Sequence, residues 1–353
     1  MSNFLSERLQ PLEEYVPGEQ PQDKKYIKLN TNESPYPPSE KVIDAITSDE
    51  VRDLRLYCDP DCKKLKTALA GLYGVKDENI FFSNGSDDIL NFAFMAYGQN
   101  GAAFADITYG FYSVFAELHS VEPEIIPLKD DFSLDKEAFK NKNKLVVIAN
   151  PNAPTGLALN VGDVEEIVAS NRDSVVVIDE AYVDFGADSA AKLISKYDNL
   201  LVVQTFSKSR SLAGGRLGFA IANKALIADL EKIKCSTNPY NINRLTQVAG
   251  LATVNDNGYY MDNCKKIAET REWVSKELEK LGFFVLPSKA NFIFAKSDKI
   301  SGKELYERLK ENGVLIRHFE KPRISEFNRI TVGSNKQMEV FLTKVKEILG
   351  EKI

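Results

Sequence analysis

The chain has 353 residues, 43% of them hydrophobic and 27% charged, with a formal net charge of -6. That length exceeds the need of one small core and, at roughly 150 residues per domain, predicts two domains. The composition is that of a globular protein and excludes disorder; the mixed charges exclude the concentrated basic face that nucleic acid requires. Residues 1–15 hold no apolar core of a secretory signal, and no apolar run approaches the roughly 18 residues of a membrane span. Cys58 and Cys62 are the only close cysteine pair, with no histidine beside them. A zinc site would need about four ligands, so no metal is expected and the thiols suit a reducing cytoplasm.

In chain order, residues 1–44 are Pro-rich and lack periodicity, and are expected to form an N-terminal arm and part of a small domain. A large domain is expected over 45–260. Its strands are predicted at 80–83, 102–106, 124–128, 145–149, 175–179, 200–205 and 216–222, with helices at 87–96, 111–118, 164–169 and 224–233. Unbroken Val/Ile runs such as Leu145-Val146-Val147-Ile148 suit strands buried on both faces. The expected class is therefore α/β, a mostly parallel seven-stranded sheet between helices. A long helix follows at 259–281, stopping at Gly282. From 261 to 353 this interdomain helix leads into a smaller α+β domain. Its strands are predicted at 283–286, 291–295, 314–318 and 329–332, and its helices at 302–311 and 336–349.

In open α/β sheets, ligands sit at the carboxyl ends of the strands. There the chain places Asn84-Gly85-Ser86-Asp87, Tyr109, residues 150–156, Asp179 with Tyr182, and Ser207 with Lys208. A lysine just past a buried strand is unusual, and partial burial would free its amine as a nucleophile for a Schiff base. Asp179 closes an apolar strand, where a carboxylate is a cap, an ion-pair partner or a functional charge. Gly85-Ser86-Asp87 opens a predicted helix, whose free N–H groups suit an anion, with Ser207 and the planar fork of Arg216 as further donors. A lysine for an aldehyde, an acid for a ring nitrogen and a cup for a phosphate are together what pyridoxal 5'-phosphate requires.

The segment Thr205-Phe-Ser-Lys-Ser-Arg-Ser-Leu-Ala-Gly214 resembles the lysine signature of the class-II pyridoxal-phosphate-dependent aminotransferases. The likeness runs through Tyr15-Val-Pro-Gly, Leu29-Asn-Thr-Asn-Glu-Ser-Pro-Tyr-Pro-Pro, Asn84-Gly-Ser-Asp-Asp, Thr108-Tyr-Gly-Phe-Tyr, Asp179-Glu-Ala-Tyr, Pro239-Tyr-Asn-Ile-Asn and Arg329-Ile-Thr-Val-Gly. It is closest to the histidinol-phosphate aminotransferases. The resemblance implies the aminotransferase fold type I and a homodimer with active sites at the subunit interface. It implies amino transfer from L-histidinol phosphate to 2-oxoglutarate, giving imidazole acetol phosphate and glutamate in histidine biosynthesis. It makes Lys208 the catalytic lysine, stacks Tyr109 on the cofactor ring and sends Tyr57 to the cofactor phosphate of the partner subunit. It also implies that Arg317 and Arg329 hold the substrate phosphate, and that Tyr15 and Asn32 line the substrate pocket. Where the family has Asn before Pro-Thr-Gly, this chain has Ala153, so either Asn152 or Tyr182 alone is expected at the ring oxygen. A threonine-phosphate decarboxylase or an aromatic amino acid aminotransferase of the same fold remains an alternative, and a non-catalytic cofactor-binding regulator a more distant one.

Overall fold

The predicted apolar runs form the interior of the larger of three sheets in a computed structural model that describes residues 4–351. In chain order the strands are β1 (Ile27–Lys28), β2 (Ile80–Asn84), β3 (Ala102–Ala105), β4 (Pro123–Ile126), β5 (Leu145–Ala149), β6 (Val176–Asp179) and β7 (Leu200–Thr205). They continue with β8 (Leu217–Ala222), β9 (Phe283–Val285), β10 (Phe292–Ser297), β11 (Val314–Leu315), β12 (Arg317–His318) and β13 (Asn328–Thr331). The large sheet has seven strands in the order β2-β8-β7-β6-β5-β3-β4. Only β8 runs against its neighbours.

Strand residues alternate between two cores, as the period of two demands. Val146, Ile148, Val176, Ile178, Leu200 and Val202 pack on one face with Leu65, Leu69, Val164 and Ile167. Leu145, Val147, Val177, Leu201 and Val203 pack on the other with Ile89, Leu90, Phe115 and Leu230. Burial on both faces is why these strands read as unbroken apolar runs.

The smaller unit is a four-stranded antiparallel sheet, β12-β13-β10-β9. It is covered by the helices Gly302–Glu311 and Asn335–Leu349 and by the long helix Asn257–Lys280. Leu29 enters the same core, and β1 pairs in parallel with β11. The single strand predicted at 314–318 is in fact two. Val314 and Leu315 pair with β1, buried Ile316 turns inward, and Arg317 and His318 pair with β13. An apolar run followed by Arg reads as one strand, whereas the pairing partner changes after Leu315. The helix predicted at 164–169 spans Val161–Ser170, started by Asn160, whose side chain accepts from Asp163 N. A helix over Arg244–Asn255, capped in the same way by Asn243, precedes the long one.

Candidate active site

Asp179 ends β6 and is buried. It accepts from Tyr112 Oη at 2.7 Å and from Ala181 N at 3.3 Å. Burial pushes its carboxyl up to about 6, against the pull of the Tyr112 hydroxyl. Lys208 follows the end of β7, and its Nζ donates to the Thr31 carbonyl at 3.1 Å. Burial, with Arg329 nearby, brings its amine down to about 8. Both side chains line one cavity of about 590 Å³.

Beside them lies an anion cradle. The helix Ser86–Tyr97 begins at the end of β2 and presents Ser86 and Asp87 to the cavity. Gly85 sits at φ +80°, and a Cβ there would come within 2.6 Å of Arg216 Nη2. Gly218 allows β8 to pass the same turn, since its Cβ would lie 2.3 Å from the Gly85 carbonyl carbon. Arg216 Nη2 donates to Asp87 Oδ2 at 3.2 Å, and Tyr109 Oη donates to Asp87 Oδ1 at 2.8 Å. Ser207 lines the same wall. A helix N-terminus with adjacent serines and a guanidinium is a seat for phosphate.

The small domain closes the opposite side. In the antiparallel register, Arg317 stands directly opposite Arg329. Like charges placed so repel one another, and no carboxylate among the described residues forms an ion pair with either. Arg317 donates to the carbonyls of Val16 and Pro17 at 3.4 Å each. Arg329 donates to the Asn30 carbonyl at 3.1 Å, and its buried Nε has no hydrogen-bond partner. Phe319 lies beneath both guanidinium groups at 5.7 Å. Asn32 Nδ2 donates to Tyr182 Oη at 3.0 Å, and Tyr15 stacks on Phe111 at 4.1 Å and meets Tyr109 edge-on. The arm carrying Tyr15 therefore forms part of the wall.

Asn152, expected at this cavity, stands elsewhere, and Tyr57, expected at a partner's cavity, lies outside this one. Asn152 does not face the cavity: its amide is taken by Thr108 Oγ1, the Ile107 carbonyl and Thr155 Oγ1, at 2.8, 3.0 and 3.1 Å. It holds the 150–156 loop together, and Tyr182 alone of that pair reaches the site. Tyr57 is 81% exposed and stacks on Tyr240 at 4.4 Å, away from this chain's own cavity. Thr31, Glu33 and Tyr112 were not singled out in the sequence, since none ends a strand of the large sheet. The Asn-Thr-Asn-Glu run around Asn32 was the available signal for the first two.

An amine, a buried acid and a phosphate seat in one cavity, faced by two unpaired arginines, suit a ring cofactor with an aldehyde and an anionic substrate. The pattern of the family described as aminotransferase class I and II matches residues 24–345. The histidinol-phosphate aminotransferase of Brachyspira hyodysenteriae is 51% identical over 352 residues, covering 99% of each chain. That of Clostridium acetobutylicum is 50% identical over 99% of this chain and 100% of its own. The structure of histidinol-phosphate aminotransferase from Sinorhizobium meliloti, in complex with pyridoxal-5'-phosphate, superposes with a TM-score of 0.84 at 24% identity, covering 93% of this chain and 92% of that one. The chain belongs to the class I and II aminotransferases, whose fold it shares.

Proposed function

We propose that the chain transfers the amino group of L-histidinol phosphate to 2-oxoglutarate, giving imidazole acetol phosphate and glutamate. The observation that carries this reading is the pair Arg317 and Arg329, opposite in register, with no ion-pair partner among the described residues and facing the cavity of Lys208. Full-length relatives of that activity at about half identity support the choice of donor.

Lys208, Asp179, Ser86, Ser207 and Arg216 would hold pyridoxal 5'-phosphate, with Tyr109 and Tyr182 against its ring. When bound, that group supplies an aldehyde that exchanges amines and a ring that takes up electrons from the substrate carbon. Buried Asp179 has no cationic partner among the described residues, and a protonated ring nitrogen would relieve the cost of its charge. The Lys208 amine, brought by burial down to about 8, keeps a far larger neutral fraction near neutral pH than an ordinary lysine, and that fraction can take the proton from the substrate carbon. Arg317 and Arg329 would grip the phosphate of the donor and a carboxylate of the acceptor in turn, since the guanidinium fork accepts both. The arm with Tyr15 helps exclude water.

A second copy of the chain belongs to the same proposal. Ile43, Ile46, Val51, Leu54, Leu56 and Tyr57 are exposed apolar side chains close together in sequence, a surface that soluble chains cover by association. Across such an interface Tyr57 would reach the cofactor phosphate of the partner. A cytoplasmic location fits four free cysteines; no helix among the described residues is long and apolar enough to cross a membrane.

The test is a half-reaction. The enzyme loaded with pyridoxal phosphate is mixed with one amine at a time, and the visible absorption is followed. L-Histidinol phosphate should bleach it at the lowest concentration. Preferential bleaching by phenylalanine or tyrosine, or carbon dioxide release from threonine phosphate without 2-oxoglutarate, would reject this donor.

A further inference from the structure

Lys208 donates its one hydrogen bond among the described residues to a main-chain carbonyl, that of Thr31. The segment holding that carbonyl is fixed at every step. The Asn30 carbonyl accepts from Arg329 at 3.1 Å. The Thr31 hydroxyl donates to Glu33 Oε2 at 2.7 Å, and the same carboxylate takes Lys28 Nζ at 2.6 and 2.7 Å. Asn32 N donates to Thr331 Oγ1 at 3.0 Å, and the Asn32 carbonyl accepts from Asn291 at 2.9 Å. Arg329, Thr331 and Asn291 belong to or adjoin the small sheet, and Lys28 lies on β1, which pairs with β11. A lysine of the large domain is thus docked on a segment mounted on the small one.

A freed lysine has a flexible stem, and an amine that moves a proton must be held within reach of it. We propose that Thr31 and Glu33 are positioning residues: the Thr31 carbonyl holds the free Lys208 amine, and Glu33, tied to Thr31 and Lys28, fixes that carbonyl and supplies a counter-charge. The proposal rests on the reading of Lys208 as the amine that moves the substrate proton. The charged groups acting on that amine are Arg329 and Arg216, which favour its neutral form, and Glu33 and Asp87, which favour the ammonium. The face of Tyr182 lies 6.0 Å away. Asp87 already pairs with Arg216, so Glu33 is the carboxylate whose removal leaves the phosphate cradle intact.

Glu33→Gln should lower kcat about tenfold while leaving KM for 2-oxoglutarate within about twofold, because proton movement and not anion binding is impaired. The isotope effect with substrate deuterated at the reacting carbon should rise. Glu33→Asp should recover part of the loss. A second measurement does not depend on turnover. In the full chain loaded with pyridoxamine phosphate, the lysine amine is free, and its competitive acetylation is read on the Lys208 peptide against pH. The midpoint should move to lower pH in Glu33→Gln, since a group favouring the ammonium is gone. An unchanged isotope effect or an unchanged midpoint overturns the proposal. Should Glu33→Gln not fold, Thr31→Val removes the same link without a charge change and must raise the isotope effect. Failure of the parent reading is separately visible, as turnover that survives Lys208→Ala.

Discussion

The two walls of the cavity handle charge in opposite ways. On the large-domain wall the carboxylates have local hydrogen-bond donors: Asp87 takes Arg216 and Tyr109, and Asp179 takes the Tyr112 hydroxyl. On the small-domain wall Arg317 and Arg329 face one another across two strands and rest on carbonyls and the ring of Phe319. A site for a resident group tolerates internal pairing, because the group stays and adds to it. A site through which two anions must pass in turn is better left unsatisfied, so that each arriving anion meets positive charge with no partner to displace. On the proposed reading, the difference would separate the seat of the cofactor from the grip on the substrate.

Four substitutions would sharpen or break that contrast. Lys208→Ala should abolish both the visible cofactor absorption and transamination, a loss of at least about 10⁴-fold in a single-turnover assay; retained turnover would remove the large-domain wall from the chemistry. Asp179→Asn should lower kcat by about 10³-fold, as the loss of one buried electrostatic group does. The same variant should be more stable without cofactor. The carboxyl rises in the folded chain, so its contribution is fully present at pH below its unfolded value and is lost as pH climbs through about 6. At neutral pH the variant should therefore gain on the order of 2–3 kcal/mol in denaturant unfolding, a gain that shrinks as pH falls through about 6 and is gone below about pH 3. No gain would mean that Asp179 is balanced by a partner within the chain.

Arg329→Ala should reduce kcat/KM about 100-fold for donor and acceptor together. A loss confined to one substrate would show that the two anions do not share the grip. Asn152→Ala should be the mildest, with kcat unchanged within about twofold and stability lowered by about 1 kcal/mol through the loss of its loop hydrogen bonds. A large fall in kcat would place Asn152 at the cofactor after all.

The large-domain wall was legible in the sequence because its residues follow buried strands directly. Asp179 after Val-Val-Ile and Lys208 after the β7 run each announce a strand end, and strand ends in a parallel sheet converge. Ser86 follows from the same geometry, whereas Arg216 stands just before β8, which runs against its neighbours, and was legible from the Gly-Gly before it and its nearness in sequence to Lys208. The small-domain wall was legible only by resemblance, since Arg317 and Arg329 sit on short strands whose periodicity is weak. The choice between Asn152 and Tyr182 could not be read from the sequence, because proximity to the strand end says nothing of which way an amide turns. Here the Thr108 hydroxyl and the Ile107 carbonyl claim it.

Local chemistry thus set the elements, the alternation of strand residues into two cores and the identity of the lysine, acid and phosphate seat. These depend on burial patterns written along consecutive residues. Which arginines oppose each other, where Ile316 divides one apolar run between two sheets, and which carbonyl receives the Lys208 amine were decided by the tertiary structure alone. Each depends on a register or contact between segments far apart in the chain, and no local pattern encodes it.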